Sequence, residues 1–170
     1  KTKLAVPEYV RIIRLIRDIP KESIEAGNLI SNLRENLKIE LKKQGKFCRC
    51  IRCREVREEI KGANKSKLFI TKYQASGATE YFLQYASSNK RKLFAFLRLR
   101  LPRNEQNFIP EIKNAAMIRE VHTYGRLIPI AKHENSVQHI GLGSKLMREA
   151  EKIAVQNGFS KIAVISGVGV

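Results

Sequence analysis

A short glycine-containing segment, followed by a helix and an apolar strand, constrains the fold of this chain most strongly. It runs from Gln138 to Leu146 and reads Q-x-x-G-x-G-x-x-L, with glycines at 141 and 143. Glycines let the backbone approach a ligand closely, and a helix behind them directs its unpaired N–H groups at the same space. The pattern predicts a turn that binds a pyrophosphate group. A helix that merely begins with a glycine-rich cap is the alternative.

Apolar and alternating segments around this turn predict an α+β domain with a mixed sheet. The predicted strands cover residues 68–73, 80–85, 93–101, 115–124 and 162–165, and the first two form a hairpin. The helix after the turn covers residues 143–156 and ends at Asn157-Gly158. Its apolar stripe consists of Leu146, Met147, Ala150, Ile153 and Ala154.

The part of the chain before residue 67 has a different pattern. Residues 9–16 are rich in β-branched side chains, which predicts a strand, and residues 22–44 predict a helix that ends at Gly45. A cysteine loop follows, and then a short charged helix over residues 54–60. We therefore expect two domains, residues 1–66 and residues 67–170.

The chain carries a formal net charge of +17, from 33 basic and 16 acidic residues. Basic residues are in excess in both predicted domains, so the charge belongs to a folded surface. Such a surface favours a polyanionic partner, because each neutralised phosphate releases counterions. General basicity of the source proteome is the alternative. The sequence has no run of eighteen apolar residues, so we expect no membrane partner.

Three cysteines, Cys48, Cys50 and Cys53, form a C-x-C-x2-C cluster. An odd and tightly spaced set argues against disulfides and indicates metal ligation in a reducing, cytoplasmic environment. Zinc is the expected metal, and it requires a fourth ligand. His122, His133, His139 or a ligand from another part of a longer protein are the candidates. Three reduced cysteines without a metal remain the alternative.

The fourth predicted strand carries the candidate catalytic residues. Glu120, His122 and Tyr124 alternate with Val121 and Thr123, so their side chains are expected on one face. A carboxylate beside an imidazole can orient a nucleophile or polarise a carbonyl group. Ordinary half-buried sheet positions are the alternative for His122 and Tyr124.

The glycine turn, together with its helix, its strand and the upstream hairpin, resembles motif A of the Gcn5-related N-acetyltransferases. The resemblance implies that the turn binds the pyrophosphate of acetyl-CoA and that the preceding strand pairs with the pantetheine arm. The coenzyme-binding residues it implies are Glu120, Val121, His122, Thr123, Gln138, Gly141, Leu142, Gly143 and Ser144.

Several further segments resemble the family of Elongator catalytic subunits, in its archaeal form. They are residues 11–20, 31–34, 48–56, 118–125, 138–139 and 162–169. This resemblance implies a linker followed by the acetyltransferase domain of an enzyme that installs a carboxymethyl group on carbon 5 of the wobble uridine of tRNA. It implies a separate radical-SAM domain as partner, with S-adenosylmethionine and a 4Fe-4S cluster. It also places the last strands of the domain beyond Val170.

Two other functions remain open at this point. One is a protein lysine acetyltransferase of the histone type, and the other is a non-catalytic module that binds tRNA. The high positive charge favours tRNA over a basic protein tail. The sequence leaves a homodimer open.

Overall fold

A five-stranded sheet organises the second part of the chain, and its strands lie in sequence order from one edge to the other. The strands are β1 (Lys67–Ala75), β2 (Ala78–Ala86), β3 (Leu93–Pro102), β4 (Ala116–Thr123) and β5 (Ile162–Val164). Strands β1 to β4 are antiparallel neighbours, and β5 pairs parallel with β4. The predicted mixed sheet of α+β class and its first hairpin are confirmed. The hairpin turn holds Ser76 and Gly77 at φ 46° and 74°, the left-handed pair typical of a two-residue turn.

The structure is a computed structural model that describes residues 1–15, 21–27, 29, 32–57, 62–103, 109–125 and 141–167. These residues belong to two units, Lys1–Arg54 and Glu55–Val170. Residues 55–57 and 62–66, which the sequence predicts as part of the first domain, belong to the second unit. The reason is local: Val56 N–H donates to the Leu93 carbonyl at 3.1 Å, which attaches this segment to the start of β3.

Helix α4 (Leu142–Gln156) connects β4 to β5 and packs on one face of the sheet. Its buried side chains recur at helical spacing, as its sequence predicts. They are Leu142, Leu146, Ala150, Ile153 and Ala154. The helix ends in a Schellman motif, in which Phe159 N–H donates to the Ala154 carbonyl and Gly158 N–H to the Val155 carbonyl.

The core of the second unit is centred on β2 and β3. Their side chains are buried on both faces, and Phe82 and Phe96 are fully buried with ring centroids 5.5 Å apart. Only the first half of β3, Leu93 to Leu97, is continuously apolar, as burial on both faces requires. Strand β2 buries the polar side chains of Thr79, Glu80 and Gln84 as well, whereas burial alternates along β1 at the sheet edge.

The first unit contains three helices, α1 (Thr2–Ala5), α2 (Leu33–Lys43) and α3 (Ile51–Arg54), and a 3₁₀ turn at Lys21–Ser23. Arg54 is only 2% exposed. Its guanidinium donates to the Arg49 carbonyl at 2.6 Å and to the Glu8 carbonyl at 2.8 Å, which ties the end of α3 to the N-terminal segment. Ile51 N–H donates to the Val10 carbonyl at 3.0 Å and strengthens the same connection.

Three predictions for the first part of the chain are wrong. Residues 9–15 form no strand, because the carbonyls of this segment accept from α3 and from the side chain of Arg34. Of the predicted helix over 22–44, Leu33–Lys43 is α-helical, and Gly27, with a φ of 118°, interrupts the earlier part; residues 28, 30 and 31 lie outside the described part. Of the helix predicted over residues 54–60, Arg54 is the last residue of α3 and residues 55–57 are not helical, whereas residues 58–60 lie outside the described part.

No helix in the described part of the chain is long and apolar enough to cross a bilayer.

Candidate functional site

Strands β4 and β5 pair only over the first three residues of β4 among the described residues. Ala116 to Ile118 pair with Ile162 to Val164, and the last bond joins Ile165 N–H to the Ile118 carbonyl at 3.0 Å. Beyond that bond, no strand among the described residues pairs with β4 on this side, from residue 119 to Thr123. The edge of β4 therefore offers a row of backbone donors and acceptors to an extended ligand.

The end of this pairing coincides with a β-bulge in β4. Leu99 pairs with Ile118 and Arg98 pairs with Glu120, so Arg119 is an extra residue that no residue of β3 opposes. An extra residue bends a strand and increases its local twist. The bulge thus lies directly after Ile118, the last residue of β4 that pairs with β5.

The open edge of β4 and the start of α4 enclose an open groove of about 630 Å³. It is lined by Val121, Thr123, Gly143, Ser144, Met147 and Arg148. A Cβ atom at Gly143 would lie 3.5 Å from Cγ2 of Thr123, at ordinary van der Waals distance. Glycine at this position therefore leaves space in the groove where the helix comes near the strand.

The start of α4 makes one end of this groove suitable for an anion. Gly141 lies before the helix at φ 67°, and the first helical bond runs from Lys145 N–H to its carbonyl. The backbone N–H groups of the first turn have no partner within the helix, and that turn carries no acidic side chain. Arg148 adds a positive charge to the lining.

The structure brings together four of the predicted coenzyme-binding residues, Val121, Thr123, Gly143 and Ser144, as groove lining. Gly141 lies just before the helix, whereas Leu142 is buried in the core. The remaining predicted residue of the turn, Gln138, lies outside the described part of the chain, as do His133 and His139.

Glu120 and His122 alternate with Val121 and Thr123 along β4, so they project from the face opposite the groove lining. Glu120 accepts from Nε of Arg98 at 3.0 Å. The His122 ring lies 6.0 Å from Phe96 and 4.4 Å from Tyr124, measured between centroids. The catalytic role of Glu120 and His122 stays a prediction. To contact either side chain, an acetyl group held in the groove must extend past the edge of β4.

Arg98 is a residue that the sequence analysis did not single out for this site. Its guanidinium lies over the rings of Phe82 and Phe96, 5.7 Å and 5.8 Å from their centroids, while it pairs with Glu120. A cation held between two rings and a carboxylate is fixed in position. The sequence signal for this role of Arg98 was an arginine within an apolar strand. A solvent-exposed arginine gives the same pattern, so the sequence could not distinguish the two.

In the first unit, the three cysteine thiols form a compact cluster. The Sγ atoms of Cys48, Cys50 and Cys53 all lie within 4.8 Å of one another, and Cys48 and Cys50 are buried. Sulfurs that share one tetrahedral zinc lie about 3.8 Å apart, given zinc–sulfur bonds of about 2.3 Å. The cluster therefore needs only a small contraction to hold a metal ion.

The pKa values of the three thiols are shifted in opposite directions. Hydrogen bonding from Cys53 lowers the pKa of Cys50 to about 5. The same hydrogen bond raises the pKa of Cys53, and burial raises the pKa of Cys48. At neutral pH one thiolate, Cys50, thus lies beside two protonated thiols.

Two cations face this cluster, and neither was predicted from the sequence. Nη1 of Arg34 lies 3.9 Å from Sγ of Cys53, while its Nη2 donates to two backbone carbonyls at 2.8 Å and 3.0 Å. The Lys3 side chain interacts electrostatically with Cys53, and its buried Nζ has no hydrogen-bond partner among the described residues. A buried amine without a partner fits a cluster that carries negative charge, as a metal–thiolate centre does.

No family model matches the chain. The tRNA uridine(34) acetyltransferase of Methanocaldococcus jannaschii is 42% identical over an alignment of 178 positions. The alignment covers 99% of this chain and 32% of that protein. Elongator complex protein 3 of Danio rerio is 40% identical over 171 residues, which cover 96% of this chain and 31% of that protein. The chain is homologous to archaeal and eukaryotic Elongator complex protein 3. It spans about a third of the length of these curated relatives.

A solved structure from the same family has a matching fold. The archaeal Methanocaldococcus infernus Elp3 with an N-terminal deletion superimposes with a TM-score of 0.80 at 38% identity. The match covers 99% of this chain and 41% of that one. The resemblance to the Elongator catalytic-subunit family that the sequence indicated is thereby confirmed.

Proposed function

We propose that this chain is the acetyl-CoA-binding part of a tRNA-modifying acetyltransferase. The observation that carries the proposal is the groove between the start of α4 and the edge of β4 from residue 119 to Thr123, with which no described strand pairs on that side. Relatives named tRNA uridine(34) acetyltransferase support it, because they match almost the whole chain. On the same grounds we assign the sheet and α4 to the Gcn5-related N-acetyltransferase fold.

Acetyl-CoA has a pyrophosphate, an extended pantetheine arm and a thioester, and each meets a matching feature of the groove. The backbone N–H groups at the start of α4 bind the pyrophosphate, and Arg148 adds a charge-assisted contact. The edge of β4 pairs with the amides of the pantetheine arm as an additional strand would. Gly143 keeps the helix amides accessible at the closest point.

The coenzyme supplies an activated acetyl group, and the residues of β4 orient it. The imidazole of His122 is exposed, and its ring is held by contacts with Phe96 and Tyr124. Arg98 fixes the carboxylate of Glu120 beside it. Because Glu120 and His122 project from the face opposite the groove lining, they reach the acetyl group only where it extends past the edge of β4. There His122 serves as the proton acceptor or donor, and Glu120 and Tyr124 hold the geometry.

The finer reaction that we propose is the addition of a carboxymethyl group to carbon 5 of the wobble uridine. It requires a radical-SAM domain with S-adenosylmethionine and a 4Fe-4S cluster. This chain has three cysteines, all in the single cluster at 48–53. We assign that cluster to zinc and place the radical chemistry on the rest of a longer, cytoplasmic protein.

The net charge of +17 supports tRNA as the partner. A polyanion bound to such a surface releases counterions, and its affinity should fall steeply with salt. A basic histone-type tail would be repelled by the same surface.

The proposal is tested by measuring acetyl-CoA hydrolysis by the full-length protein with and without tRNA. We expect hydrolysis that tRNA stimulates, and we expect Gly143→Asp to abolish coenzyme binding, because it places a carboxylate at the pyrophosphate site. Ser160→Asp is the matched control, since it adds the same charge beyond the other end of α4. Transfer to lysine peptides without tRNA dependence would support a protein acetyltransferase instead. Absence of both coenzyme binding and hydrolysis would leave only a tRNA-binding module.

A further inference from the structure

The bulged residue of β4, Arg119, is attached to a strand that is not its neighbour. Its Nη1 lies 2.9 Å from Oε1 of Glu80, which belongs to β2, on the far side of β3. Adjacent strands lie about 4.8 Å apart, so this contact spans about 9.6 Å between the two backbones. Arginine is long enough for that reach, and few other side chains are.

The acceptor of this contact is fixed in place. Glu80 is 1% exposed, and its Oε1 also accepts from Nη1 of Arg100 at 3.1 Å. Arg100 in turn donates to the carbonyls of Ala75 and Ser76 at 3.2 Å and 2.8 Å, in the β1–β2 turn. The carboxylate is therefore part of the rigid half of the sheet.

The direction of the contact matters for the groove. Arg119 is drawn from β4 towards β2, which is away from β5. The bulge lies at the residue where β4 and β5 stop pairing. A link that ties this residue to β2 opposes a change of register in β4 at the residue where its pairing with β5 ends.

We propose that the Arg119–Glu80 ion pair is a positioning device that fixes the bulge of β4 and thereby keeps the coenzyme groove open. The inference rests on the proposed function for the nature of the ligand, but the link and the bulge belong to this chain. Arg98 and Glu120 form the neighbouring pair, yet they join adjacent strands and leave the extra residue unattached. Arg119 acts through the backbone of β4, so it is not a catalytic residue.

The test compares Arg119→Ala, Arg119→Lys and the matched control Arg57→Ala in the full-length protein. Two quantities are measured: the acetyl-CoA dissociation constant, and hydrogen exchange in a peptide covering residues 116–125. We expect Arg119→Ala to weaken coenzyme binding about tenfold and to accelerate exchange in that peptide, while β1 and β2 keep their protection. Arg119→Lys should recover part of both effects, because it keeps the charge with a shorter reach.

Unchanged exchange in β4 for a folded Arg119→Ala protein would overturn the inference. If that variant does not fold, Arg119→Lys decides, since wild-type exchange and wild-type affinity would then show that the geometry of the contact is irrelevant. Failure of the wild-type protein to bind acetyl-CoA would reject the proposed function instead. In that event the exchange comparison still tests the link.

Discussion

Replacing Gly143 with alanine should stabilise the protein and weaken coenzyme binding at the same time. Gly143 is the second residue of α4 and has no left-handed φ. The new methyl group would lie 3.5 Å from Cγ2 of Thr123, so it meets the strand without a clash. The same methyl group occupies the part of the groove where we place the pyrophosphate.

The two effects have different magnitudes. Alanine is favoured over glycine by about 1 kcal/mol in a helix interior, and we expect about half of that in the first turn. A gain of about 0.5 kcal/mol corresponds to about 1–2 °C in the melting temperature of a chain of this size. Loss of one charge-assisted hydrogen bond to the pyrophosphate costs about 1.5–3 kcal/mol, which is about a tenfold or greater loss of affinity.

Gly141→Ala is the companion variant: it should lower the stability of the protein, whereas Gly143→Ala should raise it. Gly141 has a φ of 67°, and no atom of the described residues lies within 4 Å of its missing Cβ. An alanine there is not hindered by a neighbour but by its own backbone, at a cost of about 1–2 kcal/mol. The pair thus separates backbone strain from occupation of the groove.

Urea denaturation measures stability, and isothermal titration with acetyl-CoA measures affinity. The reasoning fails if Gly143→Ala lowers stability, because the helix would then not tolerate the methyl group. It also fails if Gly143→Ala binds acetyl-CoA as tightly as the wild-type protein, because the pyrophosphate would then lie elsewhere.

Three further predictions concern the cysteine cluster and the cores of the two units. The affinity for zinc, measured by competition with a chromogenic chelator, should rise about 100-fold per pH unit at neutral pH. Cys48 and Cys53 each lose a proton when zinc binds, whereas Cys50, with its pKa lowered to about 5, is already ionised. Below pH 5 the dependence should steepen to three protons, and a slope of three at neutral pH would contradict the thiolate of Cys50. Arg54→Met should destabilise the first unit by about 2–4 kcal/mol in urea, since it leaves buried carbonyls without donors; a loss below 1 kcal/mol would contradict this. Phe96→Ala should cost about 3–5 kcal/mol, because its ring is fully buried, and a markedly smaller loss would show that the site collapses.

The sheet was predictable because each strand carries its own local signal. Alternating side chains predict β1, and the apolar residues at the start of β3 predict that strand. The Ser76-Gly77 pair predicts the hairpin turn, where both residues adopt positive φ values. Helix α4 follows from its apolar stripe and its glycine ends. The cysteine cluster was predictable from its close spacing, and the helical turn at Ile51–Arg54, with Cys53 N–H donating to the Cys50 carbonyl, brings the three thiols together.

The remaining features depend on contacts between distant residues, which leave no local pattern. Residues 9–15 have the composition of a strand, yet their carbonyls accept from Arg34 and from α3. The bulge at Arg119 adds one residue to β4 and is invisible in a segment with imperfect alternation. The sequence predicts a solvent-exposed Lys3, because it is a lysine in an N-terminal segment, but the fold buries it.

The thiolate of the cysteine cluster has an electrical consequence. Before loading, the cluster carries one negative charge on Cys50. A zinc ion bound by three thiolates and a neutral fourth ligand also carries a net charge of about −1, because two departing protons balance the divalent ion. Metal loading is then an electroneutral exchange. The ammonium of Lys3 and the guanidinium of Arg34 face the same net charge with and without zinc. We therefore expect no electrostatically driven rearrangement of this unit when zinc binds.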